Sequence, residues 1–331
     1  MLDVVLLNAY AANHAERLRR LLTTNWQVST LDERAGEASL EGALRKADAL
    51  VTTRYGVSMP KAPRLKLIQS PVSGHDRVVA AAIPPSCTFC NVHEHEIAVS
   101  EYVMLAMLEW EIRLMRLDAG FRAGNWRGGV AVAGHTHGEL AGKTLGLIGL
   151  GQIGRAVARR AKAFDMNVVA VTRTPRQNEG HVDTQASTQA LDDILPRCDF
   201  LAVTCPLNEE TRGLIDARRL ALCKSELVII NVARAAVLDE EALYEALAAR
   251  RIAGAVLDVW YAYPTVDNPV ARPSRFAFHE LPNVIMTPHC SAWTDGLIER
   301  RWRFIAANLD RLARGEPLEN IVLRPRALTQ S

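Results

Sequence analysis

The sequence predicts an α/β protein made of two domains, each built on a parallel sheet. Three observations carry this. The chain is 331 residues long, which favours more than one domain. Short uninterrupted apolar runs recur along it, as expected of strands covered on both faces. The segments between these runs carry the 3.6-residue period of helices, so strand and helix alternate.

Taken in order, "MLDVVLLNAYAANHAERLRRLL" reads as a strand and an amphipathic helix. It lacks the basic, apolar, small-residue order of a secretory leader. Further strands are expected at "ALVTT" (49–53), "LKLIQS" (65–70) and "TFCNV" (88–92). From about Ile97 to Ala119 one long apolar helix is expected, linking the domains or packing on a second subunit. "TLGLIGL" (144–150) leads into a helix whose apolar face is Ile153, Val157, Ala161 and Phe164. Strands then follow at "NVVAVT" (167–172), "FLAVT" (200–204), "ELVIINV" (226–232), "AGAVLDV" (253–259) and "NVIMTP" (283–288). A last helix runs from Thr294, its N-cap, to about Arg314, where Gly315 and Pro317 stop it. It is expected to return to the first domain.

The net charge of +2 is too small to argue for nucleic acid or an anionic membrane. No apolar run reaches spanning length. The 6 cysteines are scattered, and only "CTFC" (87–90) has suggestive spacing, with neither a second pair nor a helix start to support zinc or redox chemistry. Buried reduced thiols, and hence a cytoplasmic location, are the expectation. No metal site is expected; His93 and His95 in "NVHEHE" lie on a turn entering a helix.

The stretch 143–175 sets Gly149, Gly151 and Gly154 in G-x-G-x-x-G spacing between a strand and a helix, with a second strand after it. The first glycine permits the tight turn, the second lets a pyrophosphate approach the backbone, and the third packs helix on strand. Inside a full strand–helix–strand unit this is a strong dinucleotide signal. Gln152 and Ile153 begin the helix that faces the phosphates. The second strand ends with Thr172, Arg173 and Thr174 where an acid would select NAD. A hydroxyl beside a guanidinium suits a 2′-phosphate, so NADP(H) is expected to be preferred, with NAD(H) possible.

Downstream lie "VTCPLNEETRGLID" (203–216), "IINVARAAVLDEEAL" (229–243), "GAVLDVW" (254–260) and "TPHCSAWT" (287–294). With these blocks in this order the chain resembles the D-isomer-specific 2-hydroxyacid dehydrogenases, from about Leu65 to Val322. The resemblance implies a Rossmann nucleotide-binding domain, 98–293, inserted in a flavodoxin-like substrate domain, 1–97 plus 294–331, with a cleft between two doubly wound parallel-sheet domains. It also implies a homodimer through the Rossmann-domain side. It makes Arg234 the clamp on the substrate carboxylate and His289 the acid–base group. Both readings agree with the residues: each follows a strand directly, a planar guanidinium suits a carboxylate, and imidazole titrates near neutrality. Ala235 stands where the family usually has glycine. The resemblance places Asp258 on the nicotinamide carboxamide and Val72, Ser73 and Gly74 on the substrate carboxylate. It adds Cys205, Pro206, Thr211, Val232 and Ala233 to the cofactor groups. His95 and Trp293 are expected at the substrate mouth, and Tyr261, Tyr263 and Trp293 would make the pocket aromatic.

One departure matters. Most of the family has a glutamate five residues after the Asp258 position, bonded to the histidine; here it is Tyr263. Tyr263 orients His289, or another acid such as Asp267 substitutes, or the acid–base role is lost. The expected activity is hydride transfer between NADP(H) and a small 2-ketoacid, glyoxylate or hydroxypyruvate by analogy. The rivals are a nucleotide-sensing binding protein without turnover and a formate-type dehydrogenase.

Overall fold

The computed structural model describes residues 1–32, 34–176, 180–265 and 268–325. Its strands are β1 (Leu2–Leu7), β2 (Trp26–Leu31), β3 (Ala49–Val51), β4 (Leu67–Gln69), β5 (Thr88–Cys90), β6 (Thr144–Ile148), β7 (Asn167–Thr172), β8 (Thr184–Ser187), β9 (Phe200–Val203), β10 (Val228–Asn231), β11 (Gly254–Leu257), β12 (Val284–Met286) and β13 (Ile321–Leu323). The chain divides into two compact units, Met1–Glu94 with Thr294–Ser331, and His95–Trp293. The first division falls after Glu94, ahead of the expected 97, because the Glu96–Ile112 helix packs with the second unit along its length.

The first unit holds a sheet ordered β13-β5-β4-β3-β1-β2, parallel except for β13. Alternate residues of β1 serve opposite faces. Val4 and Leu6 meet Leu18, Trp302, Ile305 and Leu309, whereas Val5 and Leu7 meet Leu44, Leu65 and Phe89. Helices therefore cover both faces, and the four buried positions Val4–Leu7 are all apolar. Trp302, Ile305 and Leu309 belong to the Asp295–Arg314 helix. Its N-cap Thr294 accepts from the Leu297 N–H and its C-cap Gly315 has φ 70°. Cys87 and Cys90 are buried free thiols beside and in β5, pushed up to about 12 by burial.

The second unit holds a sheet ordered β12-β11-β10-β9-β6-β7-β8, parallel throughout. Its two faces are filled in the same way, Leu145 and Leu147 on one side and Ile148, Val169 and Val171 on the other. The Gln152–Lys162 helix buries Val157 and Ala161, but Phe164 falls beyond its end and is exposed. The helix expected over 97–119 is two helices. Arg113 adopts a left-handed backbone (φ 56°, ψ 44°) that ends Glu96–Ile112 and starts Leu114–Arg122 on a new axis. Trp110 is pinned against the Gly254 backbone, where a Cβ would come within 2.0 Å of its ring. No helix among the described residues is long and apolar enough to cross a membrane, and no cluster of ligating side chains among them could hold a metal.

Candidate active site

In the seven-stranded sheet the chain leaves β6 in one direction through β7 and β8, and in the other through β9 to β12. The carboxyl edge beside that reversal is where open parallel sheets bind ligands. Gly149, Thr172–Thr174, Cys205–Thr211, Val232–Arg234, Asp258 and His289 all follow strand ends on that edge.

Gly149 has φ 101°, and a Cβ on it would meet the Cys205 backbone at 2.9 Å. A Cβ on Gly154 would lie 2.4 Å from the Gly149 carbonyl, so the helix sits directly on the turn. The Thr204 hydroxyl donates to that carbonyl at 2.8 Å. Gly151 differs: nothing stands within 4 Å of its would-be Cβ, and as N-cap it offers no side chain to the helix. The first amides of Gln152, Ile153 and Gly154 thus have no side-chain cap from Gly151, which suits a pyrophosphate. At the end of β7 the Thr172 hydroxyl oxygen is sealed from solvent and has no hydrogen-bond partner. Arg173 and Thr174 beside it are exposed. After β9, Thr211 closes a turn by donating its hydroxyl to the Pro206 carbonyl at 2.7 Å and its N–H to Asn208 Oδ1 at 2.9 Å. These groups fit a dinucleotide.

Arg234 is set by a residue the motif reading passed over. Asn231, 1% exposed, accepts the Ala233 N–H at 3.1 Å and donates to the Arg234 carbonyl at 3.1 Å. A polar residue closing the apolar run "LVII" was its signal. Ala235 keeps a negative φ, so a glycine is not required there.

Asp258 is fully buried and accepts from the Thr287 hydroxyl at 2.6 Å and from the N–H groups of Cys290 and Ser291 at 2.8 and 2.9 Å. These bonds bracket His289, whose φ of 58° is left-handed. Such a backbone costs an L-residue about 1–2 kcal/mol and persists because the neighbours are fixed. Thr287 spends its proton on Asp258, so in the 2.6 Å contact with Tyr102 the phenol is the donor. Asp258 makes no bond to the imidazole; Tyr263 does. The Tyr263 hydroxyl lies 2.9 Å from His289 Nδ1 and accepts the Trp260 N–H at 3.1 Å. One side of the His289 ring is open to solvent, while the protein around the rest desolvates it and lowers its pKa. The Asp258 charge raises that pKa and the Arg234 charge lowers it.

Tyr261 does not share this surface. Its hydroxyl bonds the Leu238 carbonyl at 3.1 Å and its ring joins the core, so an aromatic pocket would have only Tyr263 and Trp293, 38% and 57% exposed. His95 precedes the first turn of Glu96–Ile112. Asp267 lies outside the described residues. In the first unit, Val72, Ser73 and Gly74 form a half-buried loop after β4. The Ser70 hydroxyl donates to the Val72 carbonyl at 2.9 Å.

The model of the D-isomer specific 2-hydroxyacid dehydrogenase NAD-binding domain matches residues 104–291. A glyoxylate reductase from Thermococcus gammatolerans is 35% identical over 285 residues, 82% of each chain. A mitochondrial formate dehydrogenase 2 from Oryza sativa is 31% identical over 311 residues, 90% of this chain and 79% of that one. The solved 2-hydroxyacid dehydrogenase of Ketogulonicigenium vulgare Y25 superposes with a TM-score of 0.82 at 26% identity, over 98% of this chain and 100% of that one. With its glycine turn, its arginine and its histidine on one sheet edge, the chain belongs to the D-isomer specific 2-hydroxyacid dehydrogenases and is an NAD(P)-dependent oxidoreductase.

Proposed function

We propose that the protein is an NADP(H)-dependent reductase of small 2-ketoacids, with glyoxylate or hydroxypyruvate as the first substrates to try. The observation that carries this is the contact between His289 Nδ1 and the Tyr263 hydroxyl, within the field of Arg234. When bound, the nicotinamide supplies the hydride. Arg234 holds the carboxylate and polarises the C2 carbonyl through charge-assisted hydrogen bonds. In the first unit the Ser73 and Gly74 amides are the groups suited to a carboxylate, with Val72 shaping the loop. Protonated His289 gives its Nε2 proton to the forming alkoxide, while its Nδ1–H donates to Tyr263. A hydroxyl both donates and accepts, so Tyr263 also serves the neutral ring, donating to an unprotonated Nδ1. A carboxylate would only accept. Tyr263 therefore orients His289 while stabilising its charge far less than a carboxylate would.

Gly149, Gly151, Gln152, Ile153 and Gly154 hold the pyrophosphate, and Cys205, Pro206, Thr211, Val232 and Ala233 line the dinucleotide. Asp258, fully buried, serves the nicotinamide side by fixing Thr287, Cys290 and Ser291. Arg173 and Thr174, exposed just past Thr172 at the end of β7, receive the 2′-phosphate. His95 and Trp293 face the substrate. A ketoacid panel run with NADPH and with NADH tests this reading. Oxidation of NADPH by glyoxylate or hydroxypyruvate, tighter than with NADH, is expected. No oxidation with any ketoacid would leave a nucleotide-binding sensor; tighter NADH binding would remove the 2′-phosphate assignment.

The protein also works as a homodimer in this reading. Leu105, Leu114, Met115, Phe121, Trp126 and Val130 are all more than half exposed, from 53% to 98%. They follow one another along the two helices after His95 and the turn beyond them. A run of large apolar side chains on one such arm marks an association surface. Sedimentation of the wild type should give a dimer, and Met115→Glu with Phe121→Glu a monomer. A monomeric wild type would contradict it. The 6 cysteines are free thiols, which supports a reducing, cytoplasmic setting.

A further inference from the structure

The first unit carries a buried amide network with no part in the chemistry just described. Asn308, 0% exposed, donates to Gln69 Oε1 at 2.9 Å and to the Glu319 carbonyl at 3.1 Å, and accepts the Glu319 N–H at 3.0 Å. Gln69, also 0% exposed, donates to the carbonyls of Ser70 at 3.0 Å and Asn91 at 3.2 Å. Asn91 is 6% exposed, and its amide nitrogen donates to the Ser73 carbonyl at 2.8 Å. The network thus runs from the last helix, under the ends of β4 and β5, to the loop over Val72–Gly74. Nothing in it is charged, and it joins residues far apart in the sequence.

Its geometry fixes the direction of two amides. In a trans peptide the C=O of one residue and the N–H of the next point opposite ways, and no peptide bond among the described residues is cis. The Val72 carbonyl faces Ser70, so the Ser73 N–H turns away from it. The Ser73 carbonyl faces Asn91, so the Gly74 N–H turns away from Asn91. Ser70 and Asn91 follow neighbouring strands β4 and β5. Both N–H groups therefore point away from the residues that close β4 and β5. If Asn91 presented its carbonyl oxygen instead, it would repel the Ser73 carbonyl and the peptide could rotate.

We infer that Asn91, seated by Gln69 and Asn308, is the positioning residue that aims the Ser73 and Gly74 N–H groups at the substrate carboxylate. The inference rests on the carboxylate-binding reading of that loop. Asn91→Asp keeps the size and removes the donor; Asn91→Ser is the second variant should the first fail to fold. The enzyme saturated with NADPH is assayed for ketoacid KM, for NADPH KM, and for binding of oxamate, an unreactive ketoacid analogue. Ketoacid KM and oxamate Kd are expected to rise about ten- to a hundredfold, as for a misaimed hydrogen bond to a charge, with NADPH KM unchanged. A lower Tm with both ketoacid KM and oxamate Kd unchanged, or equal losses toward ketoacid and NADPH, would show a structural role and overturn the inference. Gly74→Pro separates the two claims by deleting one amide outright. If it leaves ketoacid KM alone, the loop does not bind the carboxylate and both claims fall. If it raises KM while the Asn91 variants do not, only the Asn91 assignment falls.

Discussion

The two units solve one problem with different chemistry. Each must hold an irregular loop rigid at the carboxyl edge of a parallel sheet. The six-stranded unit does so with neutral groups, Gln69, Ser70, Asn91 and Asn308. The seven-stranded unit does so with a buried carboxylate, Asp258, fed by Thr287 and two backbone amides. Neutral side-chain amides fix a backbone without projecting a charge of their own. A buried carboxylate fixes a backbone and also projects a field, felt by His289. Where the partner is an anion, a bare amide surface suffices; where a proton must move, the support is charged.

The widest contrast comes from removing the charged groups that face the chemistry. Arg234→Ala and His289→Ala should each lower kcat/KM for ketoacids about a thousandfold, with NADPH affinity little changed. Stopped-flow and steady-state rates check this, and a loss below tenfold would put the chemistry elsewhere. Asp258→Asn comes next. It sets an amide nitrogen against donors that an oxygen now satisfies, at a cost of about 1–3 kcal/mol, and releases the His289 turn. A roughly hundredfold fall in kcat is expected, well beyond what the lowered Tm explains. In the neutral unit, Asn308→Ala should cost a similar 1–3 kcal/mol of stability while leaving NADPH titrations unchanged. Denaturant unfolding and fluorescence titration read the two effects apart, and an altered NADPH affinity would erase the distinction between the units. Arg173→Ala should weaken NADPH about tenfold, or about 1.4 kcal/mol, and NADH hardly at all; equal weakening of both would rule out the 2′-phosphate assignment.

The same comparison shows what the sequence makes legible. Central strands are visible because helices cover both faces, so β1, β6 and β10 each contain a continuous apolar run, such as Val4–Leu7 in β1. The strands that escaped were β2, β8 and β13, all at sheet edges. Their side chains are at best partly covered, Val28 apart, so their pattern is mixed. The split of the 97–119 helix escaped too, because a left-handed Arg113 has no composition signature. At the site, the glycine turn is legible from its spacing between strand and helix, and Arg234, Asp258 and His289 from the family blocks in which they stand, each close behind an apolar run. Their supports are not. Asn308 meets Gln69 across 239 positions, and Tyr102 meets Thr287 across 185; no local spacing encodes such pairs. A polar residue closing an apolar run, Gln69 or Asn231, was the only available hint.

The central claim is that His289 acts as the acid with a neutral phenol, Tyr263, in place of a carboxylate. The pH dependence of ketoacid kcat/KM, compared between the wild type and Tyr263→Glu, tests it directly. Reduction needs the protonated ring, so the rate must fall as pH rises through the His289 pKa, which burial and Arg234 hold below the ordinary value. A glutamate at 263 stabilises the imidazolium and moves that fall to higher pH by about one unit. Superimposable profiles would contradict the claim.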